Sequence, residues 1–142
     1  MKVAIFGGTG FIGQYVIRDL VARGHQPVLL VRPGSEHKIS IPDRCETVTG
    51  YISDVRDIEK TLHDCSAVLY LAGIIREFPR QATTFEEVHF LAAVRVMDTV
   101  AKQEIKRFVL MSANGVKPDG TLYQRTKYRA EVHVRSSKLS WT

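Results

Sequence analysis

The stretch Val3-Ala4-Ile5-Phe6-Gly7-Gly8-Thr9-Gly10-Phe11-Ile12-Gly13 decides the fold of this chain. Its first four residues are an apolar run with the character of a buried strand. Beyond the glycines, Ile12, Val16, Ile17, Leu20 and Val21 recur at helical spacing. Strand, glycine turn and helix, in that order, are the context a dinucleotide-binding loop needs. Gly7 and Gly8 let the chain turn sharply, and without side chains the backbone can approach a pyrophosphate closely. Gly13 lets the new helix pack tightly on the strand. The helix N-terminus then offers unpaired N–H groups and a partial positive charge to phosphates.

Apolar runs and helical patterns alternate along the rest of the chain. The first strand covers 2–7 and the first helix 11–23, stopped by Arg23-Gly24. Pro27 to Arg32 reads as a second strand, ending at the turn Pro33-Gly34, and residues 34–43 as a loop with at most a short helix. Cys45–Ile52 reads as a third strand. Asp54 caps a helix from Val55 to His63, and Ala67–Ala72 is a fourth strand ending at Gly73. Residues 74–82 are irregular. Thr83 or Thr84 caps a long helix whose inner stripe is read as Val88, Leu91, Ala92, Val94, Val96 and Val100. Arg107–Met111 is a fifth strand, 113–120 a loop and 121–137 a last helix.

Nearly continuous apolar strands alternating with helices imply an α/β fold, a doubly wound parallel sheet (Rossmann) with helices on both faces. Right-handed crossovers favour the strand order 3-2-1-4-5. The sheet then reverses direction between strands one and four, and the glycine loop follows strand one into that crevice. Leu139-Ser140-Trp141-Thr142 reads as the start of a sixth strand, with the edge of strand five otherwise open to association, a homo-oligomer included. The expectation is one domain, residues 1–142, forming the cofactor half of a longer protein.

Bulk properties narrow the function classes. The chain has 142 residues, 44% of them hydrophobic and 25% charged, within the range of an ordinary globular domain. The net charge of +5 is scattered, without a basic block or interleaved aromatics, which argues against a nucleic-acid partner. Cys45 and Cys65 lack metal-ligand spacing and are expected to be reduced and mostly buried. There is no apolar run of membrane-span length and no signal-peptide pattern, so the expected compartment is the cytoplasm.

Two constellations carry chemistry. Arg32 ends the second strand about twenty residues beyond the glycine loop, where an acidic residue would bind the ribose hydroxyl of NAD. A guanidinium there pairs instead with the 2′-phosphate of NADP, and Ser35 and Lys38 can add contacts to it. NADP is therefore the expected cofactor, with NAD as the alternative. Ser112 stands at the end of strand five, and Tyr123 and Lys127 are four apart on the helix that follows. A lysine about 4 Å from a phenol contributes roughly 4 kcal/mol at an effective dielectric of about 20, or about three pKa units. That brings a phenolate base within range of neutral pH. Ser112 would then orient a substrate oxygen.

In combination these residues resemble the short-chain dehydrogenase/reductase superfamily: Gly7-Gly8-Thr9-Gly10-Phe11-Ile12-Gly13, Leu71-Ala72-Gly73, Ser112 and Tyr123-Gln124-Arg125-Thr126-Lys127. The extended and atypical branches, those of NAD-dependent epimerase/dehydratases and NAD(P)H-binding proteins, fit best. Val88-His89-Phe90 and Lys106-Arg107-Phe108-Val109-Leu110-Met111-Ser112-Ala113 are similar to the branch of the complex I accessory subunit. The resemblance implies that Gly7, Gly10 and Gly13, with Gly8, Thr9, Phe11 and Ile12, hold the pyrophosphate. Tyr51 and Ile52 would lie near the adenine. Leu71, Ala72, Gly73 and His89 would lie by the far half of the cofactor, where Tyr123 and Lys127 also reach it. Ser112, Tyr123 and Lys127 would be the catalytic set, acting on a small-molecule substrate such as a nucleotide sugar. The chain departs from the extended pattern at Tyr51, where Asp is usual, and at His89, where Asn is frequent. The substrate lobe of the family would follow strand six. A non-catalytic NAD(P)H-binding module with a structural, redox-sensing or assembly role is the alternative.

Overall fold

The computed structural model describes all of residues 1–142. Six strands form one sheet in the order β3-β2-β1-β4-β5-β6: β1 (Lys2–Phe6), β2 (Gln26–Val31), β3 (Glu46–Thr49), β4 (Ala67–Tyr70), β5 (Arg107–Leu110) and β6 (Ser140–Trp141). Every neighbouring pair is parallel. The expected order of the first five strands is the observed one.

The two faces are covered unequally, and alternation along β1 shows how. Ala4 and Phe6 point into a core of 18 buried residues shared with the helices α2 (Val55–Leu62), α3 (Ala92–Lys102) and α4 (Leu122–Ser136). Val3 and Ile5 point the other way, into a core of 7 buried residues beneath α1 (Phe11–Ala22). Because a strand places successive side chains on opposite faces, both faces of β1 are buried. On the α1 side the β2–β3 connection contributes no α-helix. The expected loop contains two single 3₁₀ turns, Glu36–Lys38 and Pro42–Arg44, and Ile39 between them plugs the smaller core.

Several expected boundaries were too long. The third strand is Glu46–Thr49 rather than Cys45–Ile52, because Gly50 is packed against the Asp57 side chain and the Tyr51 N–H turns to Asp57 Oδ2 at 3.1 Å. The β4 and β5 ladders stop at Tyr70 and Leu110. Just past those points one more bond forms on each, from the Leu71 N–H to the Phe6 carbonyl at 2.8 Å and from the Met111 N–H to the Tyr70 carbonyl at 2.9 Å. Asp54 caps α2 as expected, accepting from the Arg56 N–H. At the far edge β6 forms, and the Leu110 N–H reaches the Thr142 carbonyl, so the edge of β5 is paired.

The inner stripe of the long helix needs correction. Thr84 does cap its start, accepting from the Glu87 N–H at 3.1 Å, but the first turns, Glu86–Leu91, are π-helical. The wider π turn adds a residue per turn and rotates all that precedes it relative to a regular helix. Leu91 is consequently exposed and Val88 and Val94 half-buried, whereas His89, Ala92, Ala93, Val96, Met97, Thr99 and Val100 face the core.

Candidate functional site

The site is the crevice between β1 and β4, where the winding of the sheet reverses. The β1 exit is forced to glycine. Gly7 has φ +94°, and a Cβ there would stand 2.6 Å from the Ala72 nitrogen. A Cβ on Gly13 would meet the Gly7 and Gly8 carbonyl oxygens at 2.5 Å. The turn, the β4 exit and α1 are thus packed backbone to backbone.

The α1 N-terminus differs from its counterparts. Asp54 caps α2, and Thr121 with Gln124 forms a reciprocal capping box on α4. Gly10 supplies no side-chain cap, and the N–H groups of Phe11, Ile12 and Gly13 have no protein partner. No acidic residue lies in that first turn. Unpaired donors, a helix dipole and a cradle that any side chain would fill together suit a pyrophosphate. Phe11 and Tyr15 flank it on the exposed side in an edge-to-face pair, ring centres 5.3 Å apart.

At the β2 end, Arg32 is exposed and enters no ion pair. Its carbonyl accepts from the Ser35 N–H, which starts the 3₁₀ turn carrying Lys38. Arg32, Ser35 and Lys38 therefore share one corner. Glu36 lies in the same turn, where its carboxylate accepts from the Thr49 hydroxyl at 3.4 Å. Tyr51 is exposed next to this corner, and the Ile52 carbonyl takes a hydrogen bond from Arg95.

At the other end, α4 and the π turn converge on the β4 exit. A Cβ on Gly73 would lie 3.8 Å from both His89 Nε2 and Lys127 Nζ. Tyr123 packs edge-on against His89 and Phe85, at 5.0 and 5.6 Å between ring centres. The structure thus brings Gly73, His89, Tyr123 and Lys127 together. Leu71 and Ala72, partly buried, connect them to the glycine loop.

His89 is held by a continuous chain of donors. The Ile74 N–H lies 3.1 Å from Nε2, Nδ1 is 3.2 Å from the Thr126 hydroxyl, and that hydroxyl donates to the Leu122 carbonyl at 2.9 Å. The Ile74 carbonyl lies at the same 3.1 Å from Nε2, so a proton on either ring nitrogen leaves the neutral ring partnered on both sides, by Ile74 and by Thr126. Burial and the nearby Lys127 charge push the His89 pKa down to about 4.

Lys127 and Ser112 both find partners in the protein. The Lys127 ammonium makes no hydrogen bond to the Tyr123 phenol; it donates to the Met111 carbonyl at 3.0 Å and stands 5.7 Å from the Tyr123 ring centre. Met111 lies just past the last paired residue of β5, which leaves its carbonyl available to α4. The Ser112 hydroxyl donates to Glu131 at 2.5 Å. Lys127 is buried, which lowers its pKa, with Glu131 acting in the opposite sense. Phe85, Thr126 and Glu131 escaped the sequence reading. Glu131 alone carried a pattern, standing one helical turn beyond Lys127.

Comparison with known proteins fits this geometry. Residues 7–142 match the model of the NAD(P)H-binding family. The chain belongs to that family. It is 29% identical over 137 residues to the 40 kDa subunit of mitochondrial NADH-ubiquinone oxidoreductase from Neurospora crassa, covering 93% of this chain and 36% of that protein. Over 139 residues it is 30% identical to a ceramide reductase from Caulobacter vibrioides, covering 97% and 43% respectively. A Bacillus halodurans protein classed with the NAD-dependent epimerase/dehydratases shares the fold at a TM-score of 0.85 and 24% identity, covering 99% of this chain and 67% of that one. This NAD(P)H-binding chain is thus a member of the extended short-chain dehydrogenase/reductase superfamily and spans less than half the length of the two curated relatives.

Proposed function

We propose that this chain is the cofactor-binding part of an NADP-dependent oxidoreductase, epimerase or dehydratase. Its substrate would be a hydroxyl or carbonyl compound such as a nucleotide sugar. The observation that carries the proposal is the convergence on Leu71–Gly73. The glycine loop is pressed against Ala72 from one side, while Lys127 and His89 approach Gly73 from the other. One elongated ligand lying along that segment meets both the phosphate cradle and the Tyr123–Lys127 pair.

Gly7, Gly8, Gly10 and Gly13, with the free N–H groups of α1, would hold the pyrophosphate. Arg32, helped by Ser35 and Lys38, favours NADP, because a guanidinium with no carboxylate partner attracts a 2′-phosphate. The nicotinamide supplies or accepts a hydride when bound. Tyr123 is the group that gives or takes the proton, at its phenol oxygen. Lys127 keeps a positive charge one helical turn away, which favours the phenolate. Neutral His89 fixes the Gly73–Ile74 backbone and takes no proton near neutral pH.

Two observations favour a second reading, an NAD(P)H-binding module without turnover. Lys127 and Ser112 are both satisfied by protein partners, and the Neurospora relative is a subunit of a larger oxidoreductase. Tyr123→Phe separates the two. With NADPH and a panel of nucleotide sugars and small ketones, the catalytic reading expects unchanged NADPH affinity and turnover down about 100-fold or more. Equal rates in wild type and variant would remove Tyr123 from catalysis, and no turnover of any panel member by wild type would favour the module.

A further inference from the structure

The helix α4 carries Tyr123, Lys127, Glu131 and Arg135 at successive four-residue intervals, on one face. The last three form a laced row of alternating charge. Glu131 pairs with Arg135 at 2.6 Å, and its other carboxylate oxygen accepts from the Ser112 hydroxyl at 2.5 Å. Lys127, one turn back, donates to the carbonyl of Met111, the residue preceding Ser112. Adjacent residues at the β5 exit are thus gripped by adjacent turns of α4. The Glu131 side chain is 17% exposed and Arg135 52%, so the carboxylate is largely shielded while its arginine partner reaches water.

We infer that Glu131 is a positioning residue, whose carboxylate holds Ser112 at the β5 exit and lies one helical turn from the buried Lys127 ammonium. Burial works against that charge, and the Coulomb attraction of Glu131 works for it. The other ionisable groups facing Lys127 are His89, from the π turn, Tyr123, from α4 itself, and the buried Tyr70 of β4, which lines the same small cavity. Neutral His89 adds no competing positive charge near pH 7. A second consequence concerns Ser112: with its proton committed to Glu131, its oxygen meets a ligand as an acceptor, suited to an O–H or N–H group. The inference rests on the proposed role of Ser112 and Lys127, but its test needs neither cofactor nor substrate.

The test is the pH dependence of Lys127 acetylation by acetic anhydride in the full chain, read by peptide mass spectrometry, with exposed Lys138 as internal reference. The midpoint reports the charge of Lys127, and the plateau at high pH reports its accessibility. Glu131→Gln is expected to lower the midpoint by about 0.5–1 pH unit, and Glu131→Asp to restore part of the shift. Should Glu131→Gln not fold, Arg135→Gln serves instead and is expected to raise the midpoint, since the carboxylate loses its other counter-charge. Ser112→Ala should raise the midpoint in wild type, since the carboxylate loses its hydroxyl donor, and have no effect beside Glu131→Gln, because both act through one carboxylate. A midpoint unmoved by Glu131→Gln, or by Arg135→Gln in its place, would overturn the coupling to Lys127. Additive effects of Ser112→Ala and Glu131→Gln would overturn the link through Ser112.

Discussion

The Tyr70 hydroxyl donates to the Val88 carbonyl at 2.6 Å, tying the last residue of β4 to the middle of the π-helical turn. In a π turn the backbone bonds skip an additional residue, so local carbonyls are free to accept from side chains. Tyr70 is fully buried, and burial pushes its phenol well above the usual tyrosine range, so it serves here as a neutral donor. The bond fixes the rotation that turns His89 inward and Leu91 outward.

Tyr70→Phe should therefore destabilise the protein by about 1–3 kcal/mol, because a buried carbonyl loses its donor. The loss should be local in character. Hydrogen exchange of the 86–91 amides is expected to accelerate more than that of α1, and equal acceleration throughout would mean that Tyr70 acts only as a core ring.

His89 gives stability a pH dependence of known sign. Its folded pKa, about 4, lies below the ordinary histidine value, so the unfolded chain takes up the proton first as pH falls. Its contribution is complete above the unfolded value and is lost as pH drops from about 6.5 towards 4, by up to about 3 kcal/mol. Urea melts at pH 7 and pH 5 check this. Wild type should lose more stability over that interval than His89→Asn, which has no ring to titrate, and identical losses would show that His89 is not the group responsible.

Two glycines separate fold from ligand binding. A Cβ on Gly10 would be 3.3 Å from the Gly7 oxygen, and Gly10 has φ −78°, which alanine adopts freely. Gly13 has no such room. Gly13→Ala is expected to destabilise by about 1–3 kcal/mol, as overpacking does. Gly10→Ala should melt close to wild type yet bind NADPH at least about tenfold more weakly, about 1.4 kcal/mol. Thermal melts and calorimetric titration read the two effects; wild-type affinity in a folded Gly10→Ala protein would move the phosphate site elsewhere.

Strand order and the glycine turn were legible because β1, β2 and β4 are buried runs and Gly7 and Gly13 occupy positions no side chain can share. The rotation of the long helix was not. Val88, Leu91 and Val94 look like a core stripe at about 3.6 residues per turn, and hydrophobic spacing cannot register a π turn whose Val88 carbonyl is bonded by a tyrosine on another element. The positions of Tyr123 and Lys127 on one helix face could be read from their spacing. The contacts with the β5 exit could not, because the Met111 carbonyl meets Lys127, and Ser112 meets Glu131, only when α4 folds back on β5.

Arg32 is proposed to close the dinucleotide clamp at its 2′-phosphate end. Calorimetric titration of wild type and Arg32→Glu with NADPH and with NADH tests it most directly. One charge-assisted hydrogen bond made only to NADPH is worth about 1.5–3 kcal/mol. Wild type should therefore bind NADPH roughly ten- to a hundredfold more tightly than NADH, and Arg32→Glu should abolish or reverse that preference. Tighter binding of NADH by wild type, or saturable binding of neither dinucleotide to the folded protein, would contradict it.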